Sequence, residues 1–190
     1  MPSIFYDIQY LKAASEELET FLLSEKLYWP INAGAPSGEP AFMRLTLGGL
    51  LLANQRLHTR NLAPNDKNAY LKIDRVIQTI RLQWRSAWER KANWEFTSRL
   101  KQWQNYLNEL QENPEGHSAY YSSEVRLRVL LQLLEPEINL LDPAYLTMLN
   151  GLDRILAALS SQTDFIWDEE LQTSFLKETF WFLWGQPMEI

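Results

Sequence analysis

The stretch KNAYLKIDRVIQTIRLQWRSAWERKANWEFTSRLKQWQNYLNELQE, residues 67–112, decides the fold. Between Pro64 and Pro114 there is neither proline nor glycine, and apolar residues recur at Tyr70, Ile73, Ile77, Ile80, Trp84 and Trp88, then at Ala92, Phe96, Leu100, Trp103, Leu107 and Leu110. This is helical spacing throughout. One uninterrupted helix of that length would run roughly 70 Å, against a radius of gyration of about 16 Å for a compact domain of this size. A straight helix would protrude.

The register changes inside the stretch. Steps of three and four give way to a run of fours (84, 88, 92, 96, 100) and then return, so the apolar stripe moves roughly 120° around the axis between the two halves. The halves must bury different faces. The sequence therefore predicts either a bend between Ser86 and Asn93 or a straight helix serving two packing sites, one of them on another chain.

Outward from this centre the chain reads as further helices. Ser3 to Glu25 is amphipathic, with Ile4, Ile8, Leu11, Leu18, Phe21 and Leu22 on one face. Leu27 to Pro30 and the turn-rich run 32–40 (NAGAPSGEP) follow as a surface loop. Thr46 is an N-cap for a helix to Arg60. The pair Gly48-Gly49 costs that helix about 1 kcal/mol per residue relative to alanine, which implies close approach of another helix or a partly extended segment. Asn61 to Asp66 turns into the long stretch, with Asn65 or Asp66 as its cap. Beyond Asn113-Pro114-Glu115-Gly116, Ser122 or Ser123 caps a helix that Pro136 stops, and Asp142-Pro143 opens another running to Leu159. Asp168 is read as the cap of a last helix, acidic in its first turn and closing on Phe180-Trp181-Phe182-Leu183-Trp184. The expected fold class is all-α: a bundle of about six helices organised around residues 67–112, with the whole chain, 1–190, as one domain.

Composition narrows the function classes. The chain has no cysteine, which removes disulfide and thiolate chemistry, and its two histidines, His58 and His117, sit in no metal-binding spacing. His58 reads as a packed or C-capping residue, and Glu112, Glu115 and His117 as a solvated loop. No glycine-rich phosphate loop or nucleophile elbow occurs. No catalytic, cofactor-binding or metal-ligating residue is assigned. The N-terminal residues carry no basic segment leading into a long apolar core, and no apolar run approaches the roughly 18 residues a membrane helix needs, so a cytoplasmic protein is expected.

The net charge is −6, yet residues 67–112 hold nine basic residues against five acidic ones. Arg81, Arg85, Trp88, Arg99 and Trp103 project to a band beside the apolar stripe, and Trp94 lies about 80° away from Trp84. Arginine interleaved with tryptophan is used by interface hot spots and by single-strand stacking platforms alike. The alternative is structural: tryptophans in the core, with Arg85–Glu89 and Glu95–Arg99 paired at i,i+4. Trp181 and Trp184 carry the same ambiguity between the protein's own core and a partner.

The leading expectation is a non-enzymatic protein–protein interaction module, an adaptor or subunit of a larger assembly, contacting a protein partner or a second copy of itself. Its partner-binding residues would be Arg81, Arg85, Trp88, Trp94, Arg99, Trp103, Trp181 and Trp184. One alternative is nucleic-acid binding along the basic stripe of residues 75–101. The other is an enzyme or small-ligand binder with a pocket inside the bundle.

Overall fold

Ser3 opens helix α1 (Ile4–Leu23) by accepting a hydrogen bond from the Tyr6 amide at 3.0 Å, and Thr46 does the same for α2 (Leu47–His58) through the Gly49 amide, also at 3.0 Å. In the computed structural model of the chain, which describes residues 2–188, these are followed by α3 (Pro64–Gln83), α4 (Arg85–Glu112), the single turn α5 (Pro114–His117), α6 (Tyr121–Leu134) and α7 (Pro143–Leu159). The fold is an all-α bundle. Strands β1 (Ser160–Gln162) and β2 (Gly185–Pro187) pair antiparallel as a minor two-stranded sheet, Ser160 opposite Pro187.

The long stretch is two helices. They meet at Trp84, whose φ of −111° and ψ of 34° leave the helical region. The break falls two residues before the predicted window, where the run of four-residue steps begins, because the two stripes face different neighbours. α3 lies on α1 and buries only Tyr70 and Ile77, whereas α4 packs chiefly on α6 and also touches α7, α2 and α1. Phe96, Trp103 and Leu107 of α4 are fully buried, as are Val125 and Val129 of α6. α4 is the central helix of the core.

Gly48 explains itself here. The Glu95 carboxylate of α4 accepts the Gly48 amide at 2.9 Å, and a Cβ on Gly48 would stand 2.9 Å from that same carboxylate and 3.2 Å from Leu130. Helices α2 and α4 approach this closely only without a side chain there. Arg99 holds the other side of Glu95 at 3.0 Å, and Arg85 meets Glu89 at 2.8 Å, so both predicted i,i+4 pairs form.

Three expectations are corrected. α3 starts at Pro64 after Ala63, with no side-chain cap, rather than at Asn65 or Asp66; proline at the first helical position supplies the fixed φ a helix start needs. α6 is entered through a 3-10 turn at Ser118–Tyr120 instead of a serine cap at Ser122 or Ser123. The largest correction is the last helix. Asp168 precedes a 3-10 segment, Glu169–Ser174, and a second one, Trp181–Trp184, which leads into β2.

Aromatic residues crowd this C-terminal segment and form helices poorly. Instead they pack edge to face: Trp167 on Phe175 at 5.3 Å, Phe175 on Phe180 at 5.1 Å, and Phe180 on Phe182 at 6.0 Å. Tyr121 donates to the Phe182 carbonyl at 2.7 Å, and Arg128, held on Asp153 of α7 at 2.8 Å, lies over the Phe182 ring. The segment is thereby tied to α6.

Candidate functional site

At the α3–α4 break the chain leaves a cleft of about 450 Å³, walled by Arg81 and Leu82 on one side and by the turn Pro136–Asn139 on the other. The break sets its position, since the last turn of α3 and the first turn of α4 diverge around Trp84. Pro136 ends α6 and sends Glu137 and Ile138 back across α4.

Glu137 is the polar centre of the cleft. One of its oxygens, Oε2, accepts from the Trp88 indole N–H at 2.8 Å and from the Arg81 guanidinium at 2.7 Å. Arg81 also lies over the Trp88 ring, 5.6 Å from its centroid, so cation, indole and carboxylate lock one another. Arg85 stays outside, 71% exposed, and its pKa is raised by the hydrogen bond and charge of Glu89. Leu82 in the cleft wall is 75% exposed, and Leu140, the residue that follows Asn139 of the opposite wall in sequence, is 88% exposed. A rigid cation–indole–carboxylate centre beside an exposed apolar side chain can seat an apolar chain segment and orient it by hydrogen bonds.

No protein-family model, curated protein or solved structure matches the chain. The cleft is therefore read from its own chemistry.

Of the eight residues singled out in the sequence, Arg81, Arg85 and Trp88 come together at this cleft. Trp88 is only 2% exposed and forms floor rather than surface. Trp94 is 44% exposed on a different face of α4, where the buried Lys91 lies 5.4 Å from its ring. Arg99 is turned inward onto Glu95 and over Tyr28. Trp103 and Trp184 present no free ring, because Trp103 is fully buried and stacked on Tyr106 and Trp184 packs on Phe165. Trp181 is half-buried against Phe182. Leu82, Glu137 and Leu140 were not among the eight. Leu82 was legible as a large apolar residue off the buried stripe of its helix, whereas Glu137 reaches the cleft from a turn distant in sequence, with Leu140 shortly after it in the chain.

Four of the seven basic residues of the stripe are engaged within the chain, while Arg75, Arg90 and Lys101 are exposed. Arg81, Arg85 and Arg99 are held by carboxylates, and Lys91 is buried, its ammonium donating to the Lys26 carbonyl at 2.6 Å and to the Ser24 hydroxyl at the end of α1. Burial pushes the Lys91 pKa down, with Arg90 adding to the shift. Among the described residues no group of histidine, aspartate and glutamate is arranged to hold a metal ion, and no helix is long and apolar enough to cross a membrane.

Proposed function

We propose that this protein is a non-enzymatic interaction module, an adaptor or subunit of a larger assembly, which docks an apolar segment of another chain into the α3–α4 cleft. The observation carrying this reading is the exposure of Leu82 in the wall of a cleft centred on the locked Arg81–Glu137–Trp88 cluster, with the exposed Leu140 one residue beyond Asn139 of the other wall. Leaving two large leucines in water has no benefit to the isolated fold. Covering them removes apolar area from water at about 25 cal/mol per Å². Leu71, also exposed, lies three turns before Leu82 on the same face of α3 and extends the apolar line along the helix.

The nucleic-acid reading draws less support, since three arginines of the stripe are paired with carboxylates and only Trp94 of its tryptophans is exposed.

The test is co-purification of the tagged protein from its native cells at moderate salt, with and without nuclease, beside the double variant Leu82→Asp, Leu140→Asp. Both positions are exposed, so the melting temperature should stay within what about 0.5 kcal/mol produces. A stoichiometric protein partner that survives nuclease and is lost in the double variant is the expected result. Retention of that partner by the double variant would overturn the cleft as its site, and loss on nuclease treatment would turn the reading to nucleic acid.

A further inference from the structure

A second cavity, of about 290 Å³, lies among α1, α2 and α6 and shares no lining residue with the first. Its walls are apolar and aromatic, including Tyr6, Met43, Leu52 and Trp167. Two polar groups among its walls lack an ordinary partner. The Tyr10 hydroxyl is buried, with the residue only 3% exposed, and makes no hydrogen bond; it stands against Gly49, 3.1 Å from where a Cβ would be. Arg126 is the other. Its guanidinium reaches only the Met43 sulfur, at 3.3 Å, and none of its nitrogens is within ion-pair distance of a carboxylate among the described residues.

The neighbouring cations do not share this condition. Arg56, also at the cavity, is neutralised by a bidentate pair with Asp7 at 2.6 and 2.8 Å, and Arg99 is held by Glu95. Burial, and then Arg56 and Arg99, push the Arg126 pKa down, while Tyr10 and Glu95 oppose them. Arg126 is half-buried, and a thioether is a weak acceptor that does not neutralise its guanidinium. The cavity therefore offers one half-buried guanidinium without an ion pair, one buried hydroxyl without a hydrogen bond and an apolar body of space.

We propose that this cavity binds a small monocarboxylate with a ring-sized apolar body, its carboxylate on the Arg126 guanidinium and hydrogen-bonded by the Tyr10 hydroxyl. The planar fork of arginine matches a carboxylate in two parallel hydrogen bonds. A phosphate dianion would need a second free cation and more donors than the lining offers. The volume admits on the order of ten non-hydrogen atoms at about 30 Å³ for each water-sized group, enough for one ring and a short acid arm. Tyr6 and Trp167 supply aromatic surface for that ring. The site is separate from the α3–α4 cleft and does not depend on it.

The experiment is calorimetric titration of the full chain with phenylacetate, 3-phenylpropionate and hexanoate, each beside its neutral amide, with a thermal melt of every variant. At least one acid should bind, and its amide should bind roughly tenfold more weakly or worse, because the amide cannot take the charge-assisted pair. Arg126→Gln should abolish the difference between acid and amide. Tyr10→Phe should weaken the acid severalfold while leaving the melting temperature of the free protein unchanged or higher, since it deletes an unsatisfied hydroxyl. That variant tests the site even if Arg126→Gln folds poorly. Equal binding of acid and amide, no binding of any acid at about 10 mM, or unchanged acid affinity in Tyr10→Phe and Arg126→Gln would overturn the assignment.

Discussion

Asp7 and Arg56 are the clearest case of a side-chain pair whose worth depends on both members being present. Asp7 sits in the first turn of α1 and Arg56 in the last turn of α2, each where its charge suits the local helix dipole, and both are buried. Removing one partner leaves the other charged and withdrawn from water, so Asp7→Ala should cost about 3–5 kcal/mol by denaturant unfolding. Replacing both, as Asp7→Leu with Arg56→Met, should recover most of that loss. A single variant within about 1 kcal/mol of the parent would mean that Arg56 finds another anion or water.

The buried tyrosines set a limit in alkali. Burial raises the pKa of Tyr10, Tyr106 and Tyr121 well above the usual 10.0, and that of Tyr70 to about 12. In the folded chain these phenols keep protons that the unfolded chain releases, so their contribution is complete below pH 10 and is lost as pH rises through the folded values. Lys91 has the opposite sign, since its lowered pKa makes the unfolded chain bind more protons and stability rise with pH up to the usual 10.5. Four phenols outweigh one ammonium. Above about pH 10.5 only the phenols of these groups remain, each removing up to about 1.4 kcal/mol per pH unit. Denaturant midpoints measured between about pH 8 and 12 should fall steeply in the last unit and a half. A flat profile would show the phenols ionising without unfolding.

At the scale of elements, two glycines in helices should respond oppositely to the same substitution. Gly48→Ala drives a Cβ into the Glu95 carboxylate and Leu130, overpacking that should cost about 1–3 kcal/mol despite alanine's better helix propensity. Gly151 lies inside α7 with nothing within 4 Å of its Cβ position, so Gly151→Ala should gain about 0.4–1 kcal/mol. Thermal or denaturant unfolding of the two variants separates steric from propensity effects, and stabilisation by Gly48→Ala would mean that Glu95 moves aside freely.

The same elements mark what the sequence could and could not express. Periodicity revealed the two faces of residues 67–112 because α4 and α3 each obey a single helical stripe, and Asp142-Pro143 announced α7 through a local rule: the Asp142 carboxylate does accept the Ala144 amide, at 2.8 Å. The glycine pair announced a close approach but not the carboxylate that fills it. The segment after Asp168 misled, because residues apolar on every side have no period by which a helix can be told from packed turns and strand. Arg81, Arg85 and Trp88, grouped on one helix face by the sequence, line the same cleft. Glu137 was not foreseen there, since only the turn after α6 folding back over α4 brings it to the cleft.

Across the whole molecule, packing is graded from α4 outwards. α4 buries eleven residues and lies at the centre of one continuous apolar cluster, while α3 buries two and is held from outside by α1 and by the Tyr70 hydroxyl donating to Asn54 at 2.8 Å. The break at Trp84 lets α3 open without unwinding α4. Native-state hydrogen exchange should therefore find α3 amides exchanging through openings of lower free energy than the global unfolding that exposes α4 and α6. If α3 amides were as protected as those of α4 at low denaturant, the two helices would open as one unit and the break would have no mechanical meaning. The gradient also bears on the cleft, since a partner seated on Leu82 and Leu140 bridges α3 to the turn after α6. Adding that partner should raise protection in α3 selectively, because the partner stabilises only the closed arrangement by which it is bound.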